Sequence, residues 1–221
     1  MGREVTALLN EKYQVNLSID EIDLSYLGTV GLTNTLIIDE HQDTLITLEH
    51  LETSVVNIHN ILNNNLKLNN VILRNGVFNL KTYKGESRSN FNTFVDHFRP
   101  KKKGEKKAFI LKGESLELSN MDFFLIDENK SKSQIVSYQN ISGGIDHLYV
   151  YPKSVEIGLR SIGMRDSYDI NYDNLSVNFQ YTPSEMRFID LDLKTEFSHI
   201  DADIICFYEG PEDLKKFGDK V

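Results

Sequence analysis

Apolar residues recur along most of this chain at every second position. The first segment is the exception. Val5, Leu8, Leu9 and Tyr13 fall at 3.6-residue spacing, with Arg3, Glu4, Glu11 and Lys12 on the other side, which predicts one short amphipathic helix. From Val15 the period becomes two, through Val15, Leu17 and Ile19, then Ile22, Leu24 and Tyr26, then Val30, Leu32, Leu36 and Ile38. Gly28 and Gly31 punctuate these runs, and His41-Gln42-Asp43 reads as a polar turn. Alternation resumes at Leu45 and reaches Val56. An Asn-rich stretch then carries Ile58, Ile61 and Leu62 at helical spacing, which predicts a turn or two of helix. Leu66, Leu68, Val71, Leu73, Val77 and Leu80 alternate again, and Phe91, Phe94, Val95 and Phe98 predict a second brief helix.

After Pro100 the same grammar returns in Leu116 to Leu125, Val155 to Leu159, Leu175 to Tyr181, Phe188 to Leu193 and Ile200 to Cys206, each run bounded by Asn, Asp, Gly, Pro or Ser. About a dozen short strands are implied. The expected fold is mainly β: an elongated, curved, antiparallel or mixed sheet, open and repeat-like, with a short N-terminal helix and one or two small helices. Residues 1–99 form a first block, 100–107 a basic linker, and 108–221 a second block expected to continue beyond the chain end. One internal echo supports the repeat. Leu66-x-Leu68-x-Asn70-Val71-x-Leu73 matches Leu116-x-Leu118-x-Asn120-Met121-x-Phe123, a strand that bends at small polar residues and resumes with its side chains out of phase. Such bends let a long ribbon keep one apolar face while it curves.

Composition narrows the function classes. The net charge of −9 argues against nucleic acid as a partner and against a polybasic membrane-surface module. The basic run Lys101-Lys102-Lys103 with Lys106-Lys107 sits in the linker and reads as solvated. The single cysteine, Cys206, lies in an alternating stretch and reads as a small buried hydrophobe. No run approaches the ~18–20 apolar residues of a membrane span. Any export or anchor segment is expected to lie outside this chain.

The search for chemistry finds little. His41, His50, His59, His97, His147 and His199 fall at no two-ligand spacing. Asp190 with Asp192 and Asp201 with Asp203 place carboxylates in pairs on strands, a pattern that serves Ca2+ binding or acid–base catalysis, and also one that any half-exposed strand displays. Ser142-Gly143-Gly144 opens no helix and makes no phosphate loop. The expectation is a non-enzymatic protein without cofactor or metal, and an enzyme built on the Asp pairs is the minor alternative. What is distinctive is the quantity of large aliphatic and aromatic residues on one face. A closed sandwich would hide that face, whereas an open curved sheet would leave an apolar trough suited to acyl chains; the pattern fits both. The candidate lining is Leu66, Leu68, Leu73, Leu116, Leu118, Phe123, Leu175, Val177 and Phe179.

Residues 8–56, from Leu-Leu-Asn-Glu-Lys-Tyr-Gln-Val-Asn-Leu-Ser-Ile-Asp through Ile-Ile-Asp-Glu-His-Gln-Asp-Thr-Leu-Ile to Leu-Glu-Thr-Ser-Val, resemble the N-terminal region of AsmA/TamB-like proteins of Bacteroidetes-type bacteria. Asn79 to Glu86 and Leu125 to Lys130 resemble recurrent phrases of the same family. The resemblance implies a periplasmic protein anchored to the inner membrane by a segment absent from this chain. It also implies a β-groove that carries phospholipid toward the outer membrane, with an Omp85-type barrel as a further partner. It brings no catalytic residues. The family's anchor helix and C-terminal domain have no counterpart here, so the chain is expected to be a fragment. The competing expectation is a module that docks outer-membrane β-proteins by strand addition at an open sheet edge.

Overall fold

The computed structural model describes residues 2–25, 28–55, 65–97, 110–130 and 134–209. They form two helices, α1 (Gly2–Tyr13) and α2 (Asn90–His97), and ten strands. The strands are β1 (Asn16–Leu24), β2 (Thr29–Ile38), β3 (Thr44–Val55), β4 (Asn65–Thr82), β5 (Ile110–Asp127), β6 (Gln134–Val150), β7 (Val155–Asp166), β8 (Asn171–Tyr181), β9 (Glu185–Thr195) and β10 (His199–Phe207). All ten lie in one sheet in sequence order, and β1 and β10 are not paired with each other, so the sheet is open. Neighbours are antiparallel except β4 and β5, which run parallel from Asn65↔Ile110 to Thr82↔Asp127. The two halves of the chain therefore share one continuous ladder. The expected Asn-rich helical turn near Ile58 and the basic linker lie outside the described residues.

The expected dozen short strands become ten because several are halves of one long strand. Leu17–Ile19 and Ile22–Leu24 are both in β1, and Val30–Leu32 and Leu36–Ile38 are both in β2. The strands survive their interruptions by bending. Asn34, Asn70, Asn75, Ser115, Asn120, Asn140, Ser161 and Asp190 all sit inside strands at φ between 49° and 58°. Short polar side chains tolerate this left-handed backbone best among residues other than glycine. At such a residue two successive side chains point outward: Arg74 and Asn75 are exposed, and so are Ser119 and Asn120, while Gly76 and Met121 are buried beyond them. Apolar residues at i and i+3, such as Leu118 and Met121, thus stay on one face.

The bend turns backbone groups out of the ladder, and neighbouring side chains satisfy them. The amides of Asn120, Asn140, Ser161 and Asp190 donate to Ser142 Oγ (3.0 Å), Asp122 Oδ1 (2.9 Å), Ser176 Oγ (2.9 Å) and Asp203 Oδ1 (2.8 Å). Side chains join along the crease too. Asn34 Nδ2 donates to Asp20 Oδ2 at 2.9 Å, Asn75 Nδ2 to Glu49 Oε2 at 2.6 Å and Asn120 Nδ2 to Asn75 Oδ1 at 2.9 Å. A polar ladder so runs across the outward face. The out-of-phase bends expected at Asn70 and Asn120 are present, and the residues matched in the echo are not level with one another in the sheet. The parallel ladder pairs Val71 with Leu116 and Gly76 with Met121, so Asn70 stands level with Ser115 and Asn75 with Asn120. Two bends five residues apart in each strand allow two alignments by pattern, and only hydrogen-bonded register selects one.

Helix α1 ends at Gln14, whose φ of 55° turns the chain and whose Nε2 donates to Glu11 O at 2.6 Å. Its position on the sheet is fixed by Asn10. The Asn10 amide accepts from Leu17 N (2.9 Å) and donates to Leu17 O (2.8 Å), imitating a strand along the outer edge of β1. The expected stripe holds in part: Leu9 and Tyr13 are half-buried, but Leu8 is exposed and Thr6 is buried.

Candidate functional site

The apolar face is built from the inward positions that the creases keep in phase. Val71, Leu116 and Ile145 on β4, β5 and β6 are buried together, with Leu73, Leu118, Leu148, Ile157 and Leu159 packed against them. Ile157 and Leu159 continue into an open trough of about 500 Å3 over β6 to β10. Twelve residues line it, and none is Asp, Glu, Lys, Arg or His. Val177 and Leu191 lie on its floor, 5% and 8% exposed, with Leu175, Leu193 and Ile204 half-buried or exposed along it. The Phe179 and Phe188 rings meet across β8 and β9 with centroids 5.0 Å apart. The polar groups of the lining are the hydroxyls of Tyr138 and Tyr172. That of Tyr172 donates to Asp166 Oδ2 at 3.2 Å; burial and that carboxylate both push its pKa up, so it stays neutral.

The sequence-derived lining divides into three groups. Leu175, Val177 and Phe179 line the trough directly. Leu73, Leu116 and Leu118 belong to the contiguous packed cluster. Phe123 is half-buried and level with Phe78 and Tyr138 on the adjacent strands. Of Leu66 and Leu68 only the backbone is described, paired with Leu111 and Gly113. Sequence reasoning missed Ile145, Met164, Leu191 and Ile204 as lining. Apolar residues at i and i+3 around a lone Asn, Ser or Asp, as in Phe188-x-x-Leu191, were the available signal.

A second cavity, about 330 Å3, lies where α1, the β2–β3 turn and α2 converge, and it is polar. Its wall contains Asp39, which is buried and fully used. Oδ1 accepts from the amides of His41 (2.9 Å) and Asp43 (3.0 Å), and Oδ2 accepts from Tyr83 OH (2.6 Å) and Asn90 Nδ2 (2.9 Å). Asn90 also donates to Asn79 O and accepts from Lys81 N, sealing β4 beyond the end of β3. Burial, then Asp39 and Asp43, push the Tyr83 hydroxyl far above its ordinary pKa. The His41 ring stacks on Tyr83 at 3.7 Å, and Lys81 Nζ lies 4.4 Å from the other ring centroid and 2.9 Å from Asp43 and Glu128. His41 reaches Glu86 and His97 reaches Glu40 at the rim. These groups satisfy each other, and the network's evident work is to fix α2 against the sheet.

Three of the four paired aspartates are likewise engaged. Asp192 accepts from Asn174 Nδ2 and pairs with His199, Asp190 accepts from Asn178 Nδ2, and Asp203 holds the Asp190 amide. Among the described residues, no group of three or more His, Cys, Asp or Glu side chains is placed to hold a metal ion, and no helix is long and apolar enough to cross a membrane. Cys206 is half-buried on β10. No protein-family model matches this sequence, and no curated protein sequence matches it.

Proposed function

We propose that the chain is a segment of an envelope-spanning lipid-transport protein of the AsmA/TamB-like kind, and that its apolar face takes phospholipid acyl chains. The observation behind the reading is one unclosed sheet whose inward face is apolar from the Val71–Leu116–Ile145 cluster into the uncharged trough of β6 to β10. A volume of about 500 Å3 falls within the usual ~300–1,000 Å3 of small-molecule sites, room for part of an acyl chain along an open face. In this reading the protein works in the periplasm, anchored to the inner membrane in its full length, with an Omp85-type barrel as partner; the resemblance of residues 8–56 supports that setting. Leu175 and Phe179 are half-buried positions in the trough, so charges there alter the lining with less cost than at the buried Val177. The purified chain is expected to carry phospholipid in native mass spectrometry, and Leu175→Asp with Phe179→Asp to lose it while keeping the far-UV signal of β-sheet. Undiminished lipid in that variant overturns the reading.

A second reading rests on β10, which pairs with β9 alone among the described residues. Ile200, Ile204 and Ile205 are 40–45% exposed along it. In that reading the edge docks a strand of an outer-membrane β-protein. A lipid-free chain that retains such a partner through β10 favours it over the conduit.

A further inference from the structure

The sheet has two lips, and the turns between successive strands alternate between them. Because β4 and β5 are parallel, the β5–β6, β7–β8 and β9–β10 turns all fall on one lip of the trough, the lip that also carries α2 and the β2–β3 turn. Each of these three hairpins exposes two large apolar residues at or beside its turn: Leu125 and Ile135, Tyr168 and Ile170, Phe197 and Ile200. Tyr168 and Phe197, at the tips, are 85% and 83% exposed. Adjacent tips along the lip are two strand spacings apart, about 10 Å.

The tips are held in this pose by their own turns. Asp166 Oδ1 accepts from the amides of Tyr168 (2.8 Å) and Ile170 (3.0 Å), and Thr195 Oγ1 accepts from those of Phe197 (3.2 Å) and Ser198 (3.0 Å). A loop whose backbone donors are already satisfied loses less on leaving water. Charges beside the tips are mixed: Arg165 and Lys194 stand among Asp166, Asp169 and Glu196. That pattern offers no net attraction for anionic headgroups, whereas tyrosine and phenylalanine favour the interface of a neutral bilayer.

We infer that this lip is a membrane-contact edge, at which the β7–β8 and β9–β10 tips seat in the interface of a zwitterionic lipid surface and set the trough's mouth against it. The inference rests on the lipid reading above and adds where lipid enters. The test uses the 221-residue chain and vesicles of phosphatidylcholine alone, separated by flotation, with far-UV spectra confirming the fold. The wild-type chain is expected to float. The Tyr168→Ser, Phe197→Ser double variant is expected to lose partitioning by at least about tenfold, from the apolar area withdrawn. Phe207→Ser, on a residue of the opposite lip that is 75% exposed, is expected to float as wild type. A wild-type chain that stays with the soluble fraction, a double variant that floats undiminished, or an equal loss in Phe207→Ser overturns the inference. Phospholipid carried by the same preparations is measured in parallel. Bound lipid without tip-dependent flotation sinks the lip and leaves the conduit, and tip-dependent flotation of a lipid-free chain does the reverse.

Discussion

Tyr83 shows what a single hydroxyl does in this protein. It supplies Asp39 with one of two side-chain donors in a buried corner, the other being Asn90. Tyr83→Phe keeps the ring against His41 and Lys81 but leaves a buried carboxylate oxygen short of a partner. Urea denaturation is expected to show a loss of about 1.5–3 kcal/mol; an unchanged midpoint would mean that Asp39 is held well enough by Asn90 and the turn amides. The same corner has a pH dependence of definite sign. The hydrogen bond from Lys81 holds the Asp43 carboxyl below its ordinary value, with help from Tyr83, and does the same for Glu128. Groups lowered in the folded state stabilise it fully above the ordinary carboxylate range, and the contribution is lost as pH falls below about 4. Lys81→Met removes the cation, so the stability gap between wild type and variant is expected to narrow as urea titrations move from neutral pH into that acid range. A constant gap would argue that Lys81 acts through packing on Tyr83 alone.

At the scale of the strand, the decisive residues are those that bend it. Asn120 combines a left-handed backbone with hydrogen bonds to Asn75 and Ser142. Asn120→Val is expected to cost about 1–2 kcal/mol, since a β-branched residue fits that backbone worst, whereas Asn120→Gly should recover most of it. Equal stability of the two variants in thermal melts would refute the bend as the cause. Gly143 marks the tightest approach of backbone to backbone on the same system of creases. Its φ is 141°, and a Cβ there would stand 2.5 Å from Ser161 O and 2.9 Å from Ile162 Cα. These details set the limit of what the sequence could reveal. Alternation made the β class and the trough residues Leu175, Val177 and Phe179 legible, and 3.6-residue spacing the two helices, because period and burial are both local. The phase change at Asn75, the pairing of Asn75 with Asn120 and the Asp39–Tyr83–Asn90 corner depend on partners 26 to 51 residues away in the chain, and no local period reports them.

At the scale of the whole molecule, an open single sheet has no second layer to equalise its strands. The Val71, Leu116 and Ile145 cluster sits where β4, β5 and β6 meet, while among the described residues β10 and β1 each pair on one side, with Asn10 guarding Leu17. Hydrogen exchange is expected to be slowest around β4 to β6 and fastest in β10, grading outward through β8 and β9. Uniform protection across the sheet would mean that it opens as a single unit.

The crossing between Thr82 and Ile110 also acts as a parity setting. Strands alternate in direction, so one parallel step reverses the sense of every strand that follows. Had β4 entered β5 through a hairpin, Tyr168 and Phe197 would stand on the other side of the trough, opposite α2. Every later turn inherits that single choice. Gain or loss of a hairpin downstream of β5 preserves it, and gain or loss of a lone strand inverts it. A sheet of this kind is therefore free to grow or shrink in pairs of strands while keeping its two sides distinct.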